Sequence, residues 1–147
     1  MSEPFTVRVA DWTTDLPQLR LVRERVFVEE QKVPLELEWD GKDPYAFHVL
    51  AEDDRGHAVG TARLMPDGHI GRMAVLPEWR RRGVGSALLR RLLHRAREQA
   101  TPTPFLNAQL CAMGFYARFG FSPLGAEFSE AGIPHRRMVL ADPTGSS

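Results

Sequence analysis

The chain is short of cysteine and has no long apolar stretch. Cys111 is the one cysteine in 147 residues, so no internal disulfide can form. No apolar run approaches the ~18 residues of a membrane span. The opening MSEPFTVRVA lacks a basic segment followed by an apolar one, which argues against a secretory signal. Net charge is missing too: 19 Lys and Arg offset 19 Asp and Glu. A protein whose main task is to coat nucleic acid carries a basic excess, so that class is disfavoured. The five histidines, at 48, 57, 69, 94 and 135, show no ligand spacing, so no metal site is expected. What is left is one soluble, cytoplasmic domain over residues 1–140, long enough to bury about two thirds of its unfolded surface. The small polar segment 141–147 reads as a flexible tail.

The charge that is present is unevenly spread. Acids gather before residue 55 and arginines between 80 and 97. The arginine-rich part opens with a short apolar run, Met73-Ala74-Val75-Leu76, stopped by Pro77. Arg80, Arg81 and Arg82 follow, then Gly83, Val84, Gly85 and Ser86, then an apolar helical pattern. In that helix Val84, Ala87, Leu88 and Leu92 repeat at helical spacing, and Leu89, Leu93 and Ala96 widen the face. A strand passing into a helix through a basic, glycine-containing bend is an anion site. The first N–H groups of a helix have no internal partner, and the helix dipole adds positive charge there. The fitting guest is a phosphate or diphosphate. Taken alone, a solvated run of arginines has equal claim.

Around this stretch the periodicities give the order of elements. Phe5, Val7 and Val9 alternate as a first strand. Thr13 or Thr14 is expected to cap a helix carrying Leu16, Leu19, Val22, Val26 and Phe27, with Pro17 in its first turn. Residues 29–45 hold two prolines, one glycine and six acids, and read as irregular with one helical turn. Strands at 48–52 and 58–64, and a fourth ending at Val75 beyond the Pro66-Asp67-Gly68 turn, make an antiparallel meander. A strand at 105–109 follows the long helix and so can pair parallel to the fourth. A second helix carries Ala112, Phe115, Tyr116 and Phe119 and is capped by Gly120. Strands near 121–128 and 136–140 end the chain. The fold class is α+β, one mixed and largely antiparallel sheet flanked by helices.

Arg80, Gly83 and Gly85 form R-x-x-G-x-G after a strand and at the start of a helix. This resembles the acyl-CoA-binding motif of the GNAT superfamily of N-acetyltransferases, written Q/R-x-x-G-x-G/A. The segments VFVEEQKVP (26–34), GRMAVLPEWRRRGVG (71–85), LNAQ (106–109), FYARFGF (115–121) and AGIPH (131–135) resemble the ElaA-like branch of that superfamily. The resemblance implies the GNAT fold, acetyl-CoA as cosubstrate and an amine as acceptor. It implies that the backbone of Met73, Ala74 and Val75 pairs with the pantetheine, and that the bend Arg80 to Ser86 holds the diphosphate. Many members carry Asn where this chain has Gln109, with Asn107 two residues earlier, and both amides are candidates for cofactor contact.

Tyr116 is expected to be the general acid. Thioester cleavage releases a thiolate, and a nearby phenol can protonate it, a kind of help usually worth ~10²–10⁴-fold. A packed core aromatic is the competing role. For the base, Glu30 and His135 rank first, ahead of Glu38, Asp40 and His48. The acidic segment 29–43 is expected to line the acceptor side and to suit a cationic amine, either a small molecule or a peptide. Two other readings compete with an N-acetyltransferase. One is a non-catalytic acyl-CoA-binding or sensor domain on the same fold, and the other is a nucleic-acid patch at Arg80–Arg97, which lacks interleaved aromatics. A homodimer is compatible with the sequence.

Overall fold

The alternation that starts at Phe5 becomes a strand in the computed structural model, which describes residues 4–140. The segment 141–147, expected to be a flexible tail, lies outside the described residues. Strand β1 spans Phe5–Ala10, β2 Phe47–Asp53, β3 Ala58–Leu64, β4 His69–Val75, β5 Phe105–Gln109, β6 Phe121–Glu130 and β7 Ile133–Leu140. They form one sheet in the order β1-β2-β3-β4-β5-β7-β6. Every neighbouring pair is antiparallel except β4 and β5.

Helix α3, Val84–Glu98, lies on one face and buries Val84, Leu88, Leu89, Leu92, Leu93 and Ala96. A fully buried leucine of this kind is worth roughly 1.5–3 kcal/mol. Helix α1, Leu16–Arg23, covers the other face through Leu19 and Val22. β3 therefore runs between two layers and is buried along its whole length. The close approach of α3 rests on Gly60, whose missing Cβ would sit 2.9 Å from Val84 Cγ1 and 3.3 Å from the Ala74 carbonyl oxygen.

Several details differ from the sequence reading. Asp15 stands at the N-cap of α1, not Thr13 or Thr14. Asp11 explains this: its carboxylate accepts the backbone N–H groups of Thr13 and Thr14, which fixes both residues in a turn. After Arg23 the helix widens into a π-helical stretch, Glu24–Glu30, which ends with the Gln31 N–H donating to the Val26 carbonyl. The irregular stretch contains a short helix, α2, Leu35–Glu38, and a 3₁₀ turn at Asp43–Tyr45. The helix of Tyr116 is brief: α4 spans Met113–Ala117 after a 3₁₀ turn at Leu110–Ala112. Gly120 does take a left-handed conformation, at φ 93°. The last two strands are longer than their apolar patterns. Their turn is Ala131-Gly132, both at positive φ, so His135 lies inside β7 and not in the turn before it.

The acidic segment does border a cleft, at Glu38 and Asp40, but its charge is not as expected. Glu38, Asp40 and Asp43 are not open to a cationic acceptor, because three arginines neutralise them. Arg23, with only 1% of its side chain exposed, bonds to both Glu38 and Asp43. Arg63 bonds to Asp40 and Asp43 at 2.6 and 2.9 Å. Arg72 bonds to Glu38 and Asp40 at 3.1 and 3.2 Å. Burial pushes the Glu38 carboxyl up. For Asp43 burial acts in the same upward direction, but the hydrogen bonds from Arg23 and Arg63 hold it below its usual range. The Arg23 guanidinium also lies 4.6 Å from the Trp39 ring.

Candidate active site

β4 and β5 pair only at His69–Phe105 and Ile70–Leu106, and then separate. The cause is visible in β4. Arg72 has φ 50°, and the register with β3 shifts between Thr61 and Arg63, so β4 carries an extra residue at this point. Such a bulge bends its strand and leaves backbone groups unpaired. The Arg72 side chain holds the bulge by donating to the carbonyls of Leu37 and Glu38. Past Ile70, the edge of β4 has no partner in β5.

A cleft of about 1110 Å³ follows this gap, from Gly83, Gly85 and Ser86 at one end to His69, Glu130 and His135 at the other. Met73, Ala74, Val75, Asn107, Gln109 and Tyr116 line it between those ends. Phe27 and Val33, presented by the π-helical stretch and the segment after it, form an apolar side. A π-helical turn of this kind often marks a functional site.

The bend before α3 has the features of an anion cradle. Arg81 at φ 64° and Gly83 at φ 85° turn the backbone left-handed just before the helix. Among the described residues, the N–H groups of Arg81, Arg82, Gly83, Val84, Gly85 and Ser86 find no acceptor, and the first helical bond is Ala87 to the Gly83 carbonyl. Donors left open at a helix start and backed by its dipole suit a diphosphate. A Cβ on Gly85 would meet Phe115 at an ordinary 3.6 Å. Arg82 lies over the Trp79 ring at 5.0 Å.

The expected site residues differ in their surroundings. Arg80 does not stand free at the bend. Its terminal nitrogens donate to both oxygens of Glu30, at 2.6 and 2.7 Å, and its Nε donates to the Val75 carbonyl at 3.0 Å. Those hydrogen bonds from Arg80 hold the Glu30 carboxyl below its usual range. The pair therefore works as a strut between the end of β4 and the π-helical stretch. Gln109 reaches across the cleft and donates to Gln31 Oε1 at 3.0 Å. Asn107 accepts from Arg137 Nε at 3.3 Å and approaches Glu130 at 3.5 Å.

The Tyr116 hydroxyl has a single partner, Met73 Sδ at 3.6 Å, and Phe115 and Phe121 meet its ring edgewise. Burial pushes the phenol up to about 12. His135 is nearly enclosed. Its Nδ1 lies 2.6 Å from the Ile133 carbonyl, which can only accept, so Nδ1 carries the hydrogen. Nε2 is then the basic nitrogen, 3.6 Å from Glu130 Oε2. His48 is occupied elsewhere, with Nε2 on the Asp43 carbonyl at 2.9 Å, and burial holds it below the usual histidine range. The Arg72 bulge carried no signal in the sequence, and the placing of Glu130 beside His135 by a hairpin turn carried almost none. The glycine in Ala131-Gly132 was the one available hint of that turn.

A sheet parted at its one parallel pair, with open helix-start amides at one end of the gap, defines an acyl-CoA-dependent transferase fold. The comparisons agree. Residues 16–141 match the family model described as the acetyltransferase (GNAT) domain, and the chain belongs to that family. The uncharacterised N-acetyltransferase YjcF of Bacillus subtilis is 38% identical over 122 residues, which cover 80% of this chain and 86% of YjcF. The crystal structure of an acyl-CoA N-acyltransferase from Pseudomonas aeruginosa superposes with a TM-score of 0.81 at 33% identity, covering 95% of this chain and 100% of that one. Escherichia coli ElaA superposes with a TM-score of 0.82 at 27% identity, covering 94% and 99%. The protein is thus an acyltransferase enzyme, which sets aside the sensor-domain reading. Among the described residues no helix is long and apolar enough to cross a membrane.

Proposed function

We propose that this enzyme moves the acetyl group of acetyl-CoA to an amine by direct attack on the thioester. The supporting observation is that the open amides of Arg81 to Ser86, the unpaired edge of β4 and the Tyr116 hydroxyl share one cleft. The diphosphate takes those amides, with Arg81 and Arg82 adding charge. Arg80, tied to Glu30, holds the end of β4. The pantetheine pairs along Met73, Ala74 and Val75 as an added strand would, and a β4 N–H meets the thioester oxygen. Ser86, Asn107 and Gln109 are the remaining polar groups in reach of the cofactor.

The amine must reach the carbonyl carbon with its lone pair free. His135 Nε2, which lies 3.6 Å from Glu130 Oε2, takes the departing proton. Glu30 suits this task less well, since both its oxygens are committed to Arg80. The C–S bond breaks as the tetrahedral intermediate collapses, and the Tyr116 hydroxyl donates to the leaving sulfur. Such an enzyme draws on an acetyl-CoA pool, which fits the cytoplasm. The test is thiol release from acetyl-CoA across a panel of amines. Release that depends on an amine, with one acetylated product, supports the reading. Tight acetyl-CoA binding with no acetylated amine overturns it.

A further inference from the structure

The acceptor end of the cleft has its own charge pattern. Three carboxylates line the cleft: Glu38, Asp40 and Glu130. Arginines engage the first two. Glu130 has no guanidinium or ammonium partner among the described residues, only His135 and Asn107 nearby. Cations are left over at the same end. Lys42 lines the cleft and enters no ion pair among the described residues. Arg137, on β7 beside the lining residue Asn107 but not itself part of the lining, enters none either.

Arg137 is oriented all the same. Its guanidinium carbon lies 4.8 Å from the Phe105 ring centre, and its Nε donates to Asn107 Oδ1 at 3.3 Å. On the other side of Phe105, His69 stacks at 4.8 Å with the planes 12° apart. His69, Phe105 and Arg137 thus stand side by side on three adjacent strands. The contacts with Phe105 and Asn107 hold the guanidinium and leave both terminal nitrogens of Arg137 without an acceptor among the described residues. A guanidinium held through Nε with its outer edge open is arranged to take a carboxylate by two parallel hydrogen bonds. Asn107 touches both Arg137 and Glu130, so an open cation just outside the cleft lining and an open anion within it lie one amide apart.

We propose that the acceptor is an amine that also carries a carboxylate, a free amino acid or a compound of that kind. Its carboxylate binds the outer edge of Arg137, and its ammonium enters against Glu130 before losing a proton. The proposal rests on the acetyl-transfer reading and narrows its substrate class. A polyamine has no group for Arg137 and would bring a second cation toward Lys42.

The experiment compares an amino acid, its amide and the corresponding decarboxylated amine as acceptors, in wild type, Arg137→Gln and Arg137→Lys. The amide is the stringent control, because its amine is less basic and more of it is unprotonated at pH 8. We expect wild-type kcat/KM for the amino acid to exceed that for its amide by about ten-fold or more. Arg137→Gln should shrink this ratio to near one, and Arg137→Lys should restore part of it. Equal or better use of the amide by wild type overturns the proposal. So does a carboxylate preference that persists in Arg137→Gln. A second arm needs no turnover: the N-acetyl amino acid and its amide are titrated into the enzyme with CoA present. Carboxylate-dependent binding lost in Arg137→Gln supports the site even if no amine is acetylated, in which case the acetyl-transfer reading alone falls. Absence of carboxylate-dependent binding sinks the site whatever the turnover shows. Arg137 is exposed, and circular dichroism of each variant checks its fold.

Discussion

Replacing Tyr116 by phenylalanine takes one oxygen from the cleft and leaves the ring. The edgewise contacts with Phe115 and Phe121 stay, and the one hydrogen bond lost is to a thioether, a weak acceptor. Folding should therefore change little. The effect on catalysis follows from the phenol's environment. Burial pushes it up to about 12. A thiol titrates near 8.5, so full proton transfer to the leaving sulfur is uphill by roughly 3.5 units, about 5 kcal/mol at ~1.36 kcal/mol per unit. Reference values for both groups would give only about 2 kcal/mol. On the proposed mechanism, Tyr116 would therefore act chiefly by donating a hydrogen bond to the sulfur as charge develops there. A hydrogen bond to a charged group is worth about 1.5–3 kcal/mol, or roughly ten-fold to somewhat over a hundred-fold in rate. Tyr116→Phe should lower kcat by that factor, at or below the lower end of the ~10²–10⁴ range for general acids.

The assay is steady-state thiol release between about pH 6.5 and 9.5, with acetyl-CoA affinity measured separately by calorimetry. Affinity should be unchanged. The phenol stays protonated throughout that range, so both enzymes should give pH profiles of the same shape. Wild-type turnover in the variant would refute the role of the hydroxyl. A basic limb present in wild type and absent in the variant would refute the high pKa, since it would mean that Tyr116 titrates within the range.

Four further outcomes are expected. His135→Gln should lower kcat/KM at neutral pH by ~10²–10⁴, whereas Glu30→Gln, which leaves His135 Nε2 in place, should lower it far less. Gly60→Ala should cost roughly 1–3 kcal/mol by overpacking and, because the new Cβ presses on Val84 at the mouth of α3, should weaken acetyl-CoA binding as well; thermal melts and calorimetry together check both. Arg23→Met should cost about 3–5 kcal/mol in urea unfolding, since it leaves Glu38 and Asp43 buried beside one fewer cation. Stability should fall between pH 7.5 and pH 5.5. Burial holds His48 and His69 below the usual histidine range, so the unfolded chain binds protons near pH 6.5 that the folded chain refuses. The Asp40 and Asp43 contribution is still present at those pH values and is lost only at much lower pH. A Tm that is flat or higher at pH 5.5 would contradict this.

The elements and one end of the cleft could be read from the sequence alone. Periodicity placed β1, β3, β5 and α3 to within a residue or so, because each buries a face whose repeat is local. The bend from Arg80 to Ser86 was legible for the same reason: open amides and a left-handed glycine are properties of a few consecutive residues. Tyr116 was legible through resemblance more than through pattern. What only the tertiary structure decided is which charges meet. Glu30 and Arg80 are fifty positions apart, and nothing local tells a catalytic carboxylate from half of a strut. The acids of 29–43 suggested an open anionic surface until the fold set Arg23, Arg63 and Arg72 among them. The splay of β4 from β5 depends on a bulge at Arg72 that the Leu37–Asp40 loop helps to hold. The acceptor end joins β4, β5, β6 and β7, so its chemistry exists only once those strands are side by side. Short-range geometry is written in neighbouring residues, whereas the pairing of charges across the sheet follows from topology, and topology is a property of the whole chain.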